Sequence, residues 1–314
     1  MARQLRYMPK AHTVFEITSR TVQGRHLLRP SKVLNDLILG IIGRAMRLYG
    51  VRVYLFVFLS NHFHLIASAL DAETLSRFMC YLNGNLAKEA GRLHDWRERF
   101  WGRRYAAIAI LEEGSLLDRV RYVLSQGCKE GLVLRPGDWP GVHCVGALVN
   151  GEKPAGRWVD RTRESEAKGR NERYDPKKFC TRYEVSLSPL SFVKEMSEGE
   201  RRAFFRKMVR EIEAETRERM AREKSPVMGR KRILAMDPHS YPKEFRRSPQ
   251  PMCHALSKET MESYRRAYEL FVEAYRYAQE RFMRGDPDAL SYFPDDCYIP
   301  PFVRSSAQAR AAPG

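Results

Sequence analysis

From Val51 to Ser68 the chain reads VRVYLFVFLSNHFHLIAS, two aromatic and β-branched runs separated by Leu59-Ser60-Asn61. Runs of that composition joined by so short a polar break form two strands folded back on one another. Helical periods lie on both sides. After Pro30, SKVLNDLILGIIGRAMRLYG places Leu34, Leu37, Ile38, Ile41, Ile42 and Met46 at helical spacing, with Ser31 as cap and Gly50 as stop. DAETLSRFMCYLNGNLAKEAGRL restores that period with Asp71 at its start.

Two further apolar runs complete this half. HTVFEITS, from His12 to Ser19, reads as a strand, and RFWGRRYAAIAIL as another whose start is basic and aromatic. SLLD, at Ser115 to Asp118, has the capping spacing and predicts a helix running to about Glu130 and stopping at Gly131. A hairpin at the centre, with helices between the other strands, predicts an α+β fold: an antiparallel sheet covered by helices.

The texture changes near Val149. NGEKPAGRWVDRTRESEAKGRNERYDPKK is polar and charged and reads as a linker or long surface loop. One strand, RYEVSLS, and two long amphipathic helices follow. The first opens on a capping box of Ser197 with Glu200; the second opens at Ser257, with Glu259 close behind, and is rich in tyrosine. The expected organisation is a first domain over 1–148, a charged linker over 149–180, a mainly helical accessory region over 181–303 and a disordered tail over 304–314.

No window approaches the roughly 18 consecutive apolar residues of a membrane span, and the basic N-terminus lacks the apolar run of a secretory signal. The 6 cysteines are scattered without a CxxC pair, which suits reduced thiols in a cytoplasm. Lys and Arg total 55 against 38 Asp and Glu, a net charge of +17. That excess favours a polyanionic partner, because neutralising phosphates releases condensed counterions; a solubilising basic surface is the plainer alternative.

On a strand His62 and His64 point to one face and Phe63 to the other. The two imidazoles can converge on a divalent ion or stand as satisfied polar residues on a half-exposed sheet face. Tyr122 and Gln126 share one face of the later helix. A tyrosine phenol is a possible nucleophile, and a glutamine amide oxygen is a hard ligand suited to Mg²⁺ or Mn²⁺. A helical tyrosine in isolation is more often a packing residue. His12 and Glu16 fall on one face of the first strand if that strand is regular, where either could orient a ligating imidazole.

NHFHLI, followed about sixty residues later by RYVLSQGCKEGLVLRP, resembles the HUH single-tyrosine transposases, in which two histidines flank a bulky apolar residue. The similarity is greatest to the REP-associated tyrosine transposases: VFLSNHFHLIAS, RFWGRRY and GLVLRPGDWPG all match in order, over roughly His12 to His143. The chain departs from their pattern at Leu59-Ser60-Asn61, where many read Met-Pro-Asn, and at Gln126-Gly127, where many read Asn-Pro. The resemblance implies a ferredoxin-like arrangement of the helices on the sheet. It implies His62, His64 and Gln126 as ligands of Mg²⁺ or Mn²⁺ and Tyr122 as nucleophile in nicking and rejoining single-stranded DNA through a 5′-phosphotyrosine link. The implied partner is DNA that folds into imperfect-palindrome hairpins, handled by a monomer or homodimer near a bacterial nucleoid. Candidates for contacts to that DNA are Arg20, Arg25, Trp101, Arg103, Arg104 and Tyr105. A member of the fold that binds hairpin DNA or RNA without turnover is the alternative.

The second half holds no catalytic motif. MGRKRILAMDPHSYPKEFRRSPQ, with His239 and Tyr241, is basic enough to track a nucleic-acid backbone.

Overall fold

The computed structural model describes residues 5–170, 175–242, 250–295 and 297–299. The expected tail over 304–314 and part of the basic stretch before Gln250 lie outside them. Its first half runs β1 (Val14–Arg20), α1 (Lys32–Tyr49), β2 (Arg52–Phe58), β3 (His62–Ser68), α2 (Ala72–His94) and β4 (Ala106–Ile110). Helices α3 (Glu113–Leu124), α4 (Gln126–Lys129) and α5 (Val145–Asn150) follow. The second half contains β5 (Ala155–Val159), α6 (Arg161–Gly169), β6 (Cys180–Glu184), α7 (Glu198–Glu223), α8 (Arg230–Ala235), β7 (Cys253–His254) and α9 (Lys258–Met283).

The main sheet has the strand order β2-β3-β1-β4-β7. Its first four strands are antiparallel, and with α1 and α2 as the two crossovers they form the ferredoxin-like β-α-β-β-α-β unit. The alternation of β3 sorts its side chains as the sequence predicts. Phe63 is fully buried and stacks on Phe58 at 4.7 Å, on the face covered by α2. There Asn83 donates to the Ser19 hydroxyl at 3.0 Å, and Trp101, edge-on to Phe63, donates its ring N–H to the Asn83 carbonyl at 2.9 Å. His62 and His64 point to the opposite face, in register with Arg20 and Thr18. That face is covered by α3.

The ends of the crossover helices follow their sequences. Ser31 and Asp71 accept from Leu34 and Thr74, and Gly50, at φ 62, supplies the left-handed residue that ends α1. The reciprocal Ser197–Glu200 box opens α7 as expected. Two predicted starts are corrected. β1 begins at Val14, and His12 stands outside it at φ 59. Regular strand is likewise confined to Ala106–Ile110 within RFWGRRYAAIAIL.

The larger correction concerns 149–180. In place of a linker, this stretch forms β5 and α6, and β5 pairs antiparallel with β6 to make a second sheet against α1. The contact is made by glycines and charges, which is why an apolar count passes over it. A Cβ on Gly40 would fall 2.1 Å from the Arg157 backbone, and one on Gly156 would fall 2.0 Å from the Asp36 carbonyl oxygen. Around that crossing Asp36 pairs with Arg157 at 3.1 Å and Arg182 at 3.3 Å. Arg44 lies 3.6 Å over the Trp158 ring and donates to the Tyr183 hydroxyl at 2.6 Å. Arg161 of α6 reaches Glu89 of α2, with its Nε at 2.8 Å.

The mainly helical region beyond β6 does not stand apart from the first half. Phe205, Met208 and Ile212 of α7 and Tyr264 of α9 belong to the same apolar core as the sheet. A smaller cluster joins Phe271 and Ala278 of α9 to Phe293 and Cys297. No helix among the described residues is long and apolar enough to cross a membrane.

Candidate active site

The imidazoles on β3 are each fixed through one nitrogen. His62 Nδ1 lies 2.6 Å from the Asn61 side-chain oxygen, and Asn61 in turn donates to the Gly24 carbonyl at 3.0 Å. His64 Nδ1 lies 2.9 Å from a Glu16 carboxylate oxygen. Each acceptor favours the Nδ1–H tautomer, which leaves the Nε2 lone pair for another partner. The two ring centroids are 5.2 Å apart. Burial pushes the His62 imidazole well below its ordinary value, and the neighbouring His64 and Arg20 push the same way. His62 is therefore neutral near neutral pH, the form that ligates metal.

Glu16 is 2% exposed and is the hub behind the pair. Arg119 binds both of its oxygens, at 2.7 and 3.0 Å. The His254 ring brings Nε2 within 3.0 Å of the same carboxylate. Burial alone would raise this carboxyl; the contacts with His254, His64 and Arg119 together outweigh it and hold the group well below the carboxylate range. An ionised carboxylate at this depth is tolerable because the Arg119 guanidinium answers its charge and the His64 ring nitrogen is turned toward it.

Tyr122 comes from α3. Its ring meets His64 edge-on at 5.6 Å, with the Arg119 guanidinium 3.8 Å and the Lys129 ammonium 4.3 Å from its centroid. Gln126 is 1% exposed, sits beside His62, and donates its amide N–H to the Tyr122 carbonyl at 3.1 Å. Ser125 donates to that carbonyl as well, at 2.9 Å. Side-chain donors thus take up a helical carbonyl at the junction where α3 ends and α4 starts. The expected continuous helix to Glu130 is broken at Ser125, although Gly131, at φ 66, does end the run.

The expected cap is also corrected. Ser115 lies inside α3, buried, with its hydroxyl unpartnered. The N-cap is Glu112, whose carboxylate turns away from its own helix to accept from Ser257 Oγ at 2.7 Å and from the backbone N–H groups of Ser257 and Leu256. Further along, Arg121 pairs with Glu211 at 2.8 Å and Glu215 at 2.6 Å on α7. Arg219 of α7 donates to the Lys129 carbonyl at 2.9 Å and the Cys128 carbonyl at 2.6 Å. The helix bearing Tyr122 is held along its length by the second half of the same chain.

His62, His64, Tyr122, Gln126 and Glu16 are therefore brought together, and Arg20 stands beside them opposite His62 in the strand register. His12 is not: it precedes β1, and the place expected for it beside Glu16 is taken by His254. Trp101 is packed on Phe63. Arg25 is engaged within the protein, with its guanidinium 5.1 Å from the Trp96 ring, 5.0 Å from the Tyr241 ring and bonded to the His239 carbonyl. Arg103, Arg104 and Tyr105 line a separate cavity at the edge of β4. Sequence reasoning missed Arg119, Asn61, Lys129 and His254. Arg119, one helical turn before Tyr122, carried a spacing signal; His254, on a two-residue strand far along the chain, carried none.

Among the described residues no group of three or more His, Cys, Asp or Glu side chains gathers for a metal. The donors that converge are His62, His64 and the Gln126 amide. Two imidazoles with anchored Nδ1 atoms and an adjoining amide fit a divalent ion that keeps positions open for water or phosphate oxygen.

No protein-family model and no curated protein matches the chain. Among solved structures, the chain is similar to a REP-associated tyrosine transposase bound to a REP hairpin. That match has 20% identity and a TM-score of 0.41, covering 48% of this chain and 86% of the other. It is also similar to a candidate transposase from Deinococcus radiodurans R1, with 15% identity and a TM-score of 0.29, covering 40% of this chain and 98% of the other.

Proposed function

We propose that the chain is a divalent-metal-dependent single-strand DNA endonuclease and strand transferase that acts on hairpin-forming DNA. The observation that carries this reading is the edge-on approach of Tyr122 to His64, 5.6 Å between centroids, with the buried Gln126 alongside His62. Packing alone accounts for a tyrosine; it does not account for a half-exposed tyrosine beside two tethered imidazoles and two cations. The motif order NHFHLI, RFWGRRY and RYVLSQGCKEGLV supports the same reading.

In the proposed reaction the Tyr122 phenolic oxygen attacks the phosphorus of a phosphodiester. The new bond is a 5′-phosphotyrosine link, the bond to the 3′-oxygen breaks, and that oxygen leaves as a hydroxyl, taking up through solvent the proton that the phenol gives up. Attack by another 3′-hydroxyl reverses the link, so the bond energy is kept and no nucleotide triphosphate is consumed. A Mg²⁺ or Mn²⁺ ion held by His62, His64 and Gln126 would supply Lewis-acid polarisation of a phosphoryl oxygen. Arg119 and Lys129 set positive charge at the Tyr122 ring, and Arg20 sets it beside His62, where an incoming phosphate needs it. Asn61 and Glu16 orient the two imidazoles.

The test is incubation with labelled hairpin DNA carrying single-stranded flanks, in Mg²⁺ or Mn²⁺, followed by denaturing electrophoresis. A covalent adduct that survives denaturation and disappears in Tyr122→Phe is expected. An adduct that persists in Tyr122→Phe removes that residue from the reaction.

A further inference from the structure

The two oxygens of the buried Glu16 carboxylate meet different neighbours. Oε1 meets His64 Nδ1 at 2.9 Å and Arg119 Nη2 at 3.0 Å. Oε2 meets Arg119 Nε at 2.7 Å and His254 Nε2 at 3.0 Å. An ionised carboxylate has about four acceptor positions, two on each oxygen, so these contacts suffice to occupy all of them. Two imidazoles stand on different oxygens, and one guanidinium spans both.

His64 and Arg119 belong to the first half of the chain; His254 does not. The sheet brings it there. Glu16 stands opposite Ile108 on β4, and Ile110, on the same face as Ile108, stands opposite His254 on β7. The period of two therefore puts the Glu16 and His254 side chains on one face, the face that also carries His62 and His64.

β7 is only two residues long, yet it is fastened on both sides of His254. The Leu111 N–H donates to the His254 carbonyl at 3.0 Å, and the preceding Cys253 is buried in the main core. Just after it, Ser257 Oγ donates to Glu112 at 2.7 Å. Glu112 is the N-cap of α3, the helix that bears both Arg119 and Tyr122. The strand of His254 and the helix of Arg119 are thus tied to each other, which fixes the spacing of the two groups that meet Oε2.

We infer that His254 is a positioning residue for His64, acting through Glu16, an inference that rests on the metal-site reading above. Arg119 grips both oxygens, whereas His64 draws on Oε1 alone. The His254 contact at Oε2 balances that draw and keeps Oε1 where the His64 Nδ1–H needs it. Glu16 so held selects the His64 tautomer whose Nε2 lone pair is left for a ligand. The second half of the chain then contributes, through β7, to the geometry of the histidine pair as well as to the packing of α3.

The test uses the full chain as wild type, His254→Leu, His254→Gln and Glu16→Gln. His254→Leu keeps apolar bulk without a donor, and His254→Gln keeps an N–H that can reach the same oxygen. In metal-free protein labelled with ¹⁵N-histidine, at about pH 8, above the ordinary imidazole value, long-range ¹H–¹⁵N correlations show which His64 nitrogen carries the proton. Calorimetry then gives Mn²⁺ affinity. Wild type is expected to hold His64 as Nδ1–H. His254→Leu is expected to mix in the Nε2–H form and to weaken Mn²⁺ binding about 5- to 10-fold, less than the roughly 10- to 100-fold expected of Glu16→Gln, which alters the direct partner. His254→Gln should restore both readouts. A folded His254→Leu protein with lower thermal stability but an unchanged tautomer and unchanged affinity overturns the inference, because the ring then only packs. Wild type that binds no Mn²⁺ would sink the metal reading, and the tautomer in metal-free protein would still decide the role of His254.

Discussion

Arg119 binds both carboxylate oxygens of Glu16 while its guanidinium carbon sits 3.8 Å from the Tyr122 ring centroid. One side chain therefore ties the carboxylate behind His64 to the candidate nucleophile. Arg119→Ala strands a buried carboxylate, and loss of one partner from such a pair costs about 3–5 kcal/mol. The expected outcome is a large fall in thermal midpoint together with loss of adduct formation. Arg119→Lys keeps the charge but not the two-pronged contact, and is expected to recover stability more than reaction rate.

Asn61 holds His62 by its Nδ1, so its effect should appear in metal binding before it appears in folding. Asn61→Ala is expected to weaken Mn²⁺ affinity about 10- to 100-fold, the usual size for loss of a ligand's outer partner. Titration calorimetry checks it, with His62→Ala as the reference for complete loss of that ligand. Equal affinities in wild type and both variants would remove His62 from the metal set.

Glu112 couples pH to the attachment of α9. Its carboxyl is lowered to about 2, chiefly by its hydrogen bond with Thr260 and then by those with Ser257 and Leu256. A carboxyl lowered on folding contributes stability above its unfolded value, near 4.5, and loses it as pH falls toward the folded value. Amide exchange around Leu256 and Ser257 should therefore speed up, after correction for intrinsic rates, as pH drops from 5 to 3. Glu112→Gln should show little of that dependence.

The glycine crossing of α1 and β5 predicts sensitivity in a stretch that looks like surface. Gly40→Ala and Gly156→Ala each drive a methyl into backbone, and overpacking of this kind costs about 1–3 kcal/mol or more. Chemical denaturation is expected to show both substitutions as destabilising, whereas Gly84→Ala, whose Cβ would meet nothing within 4 Å, is not.

The order of strands and helices through β4 was legible because each element buries one face and therefore shows its period in the residues. His62, His64, Tyr122 and Gln126 were legible because pairs of them share a strand or helix face. Glu16 was found for a reason that proved only half right, since its expected companion His12 precedes the strand. Contacts that lack periodicity stayed hidden: the glycine seam at Gly40 and Gly156, the reach of His254 to Glu16, and Glu112 turning from its own helix to Ser257. In each the partners are far apart in sequence and joined by backbone approach or charge, neither of which leaves a pattern in hydrophobicity.

The fastening of α3 by Glu112 to Ser257, by Arg121 to Glu211 and Glu215, and by Arg219 to the carbonyls after Tyr122 bears on genetic damage. A premature stop codon or frameshift between Lys129 and Glu198 would spare β3, the strand that carries both histidines. It would still release the tyrosine helix from all of these fastenings. Loss-of-function alleles are therefore expected throughout the second half of the reading frame, far from the residues that face the phosphate.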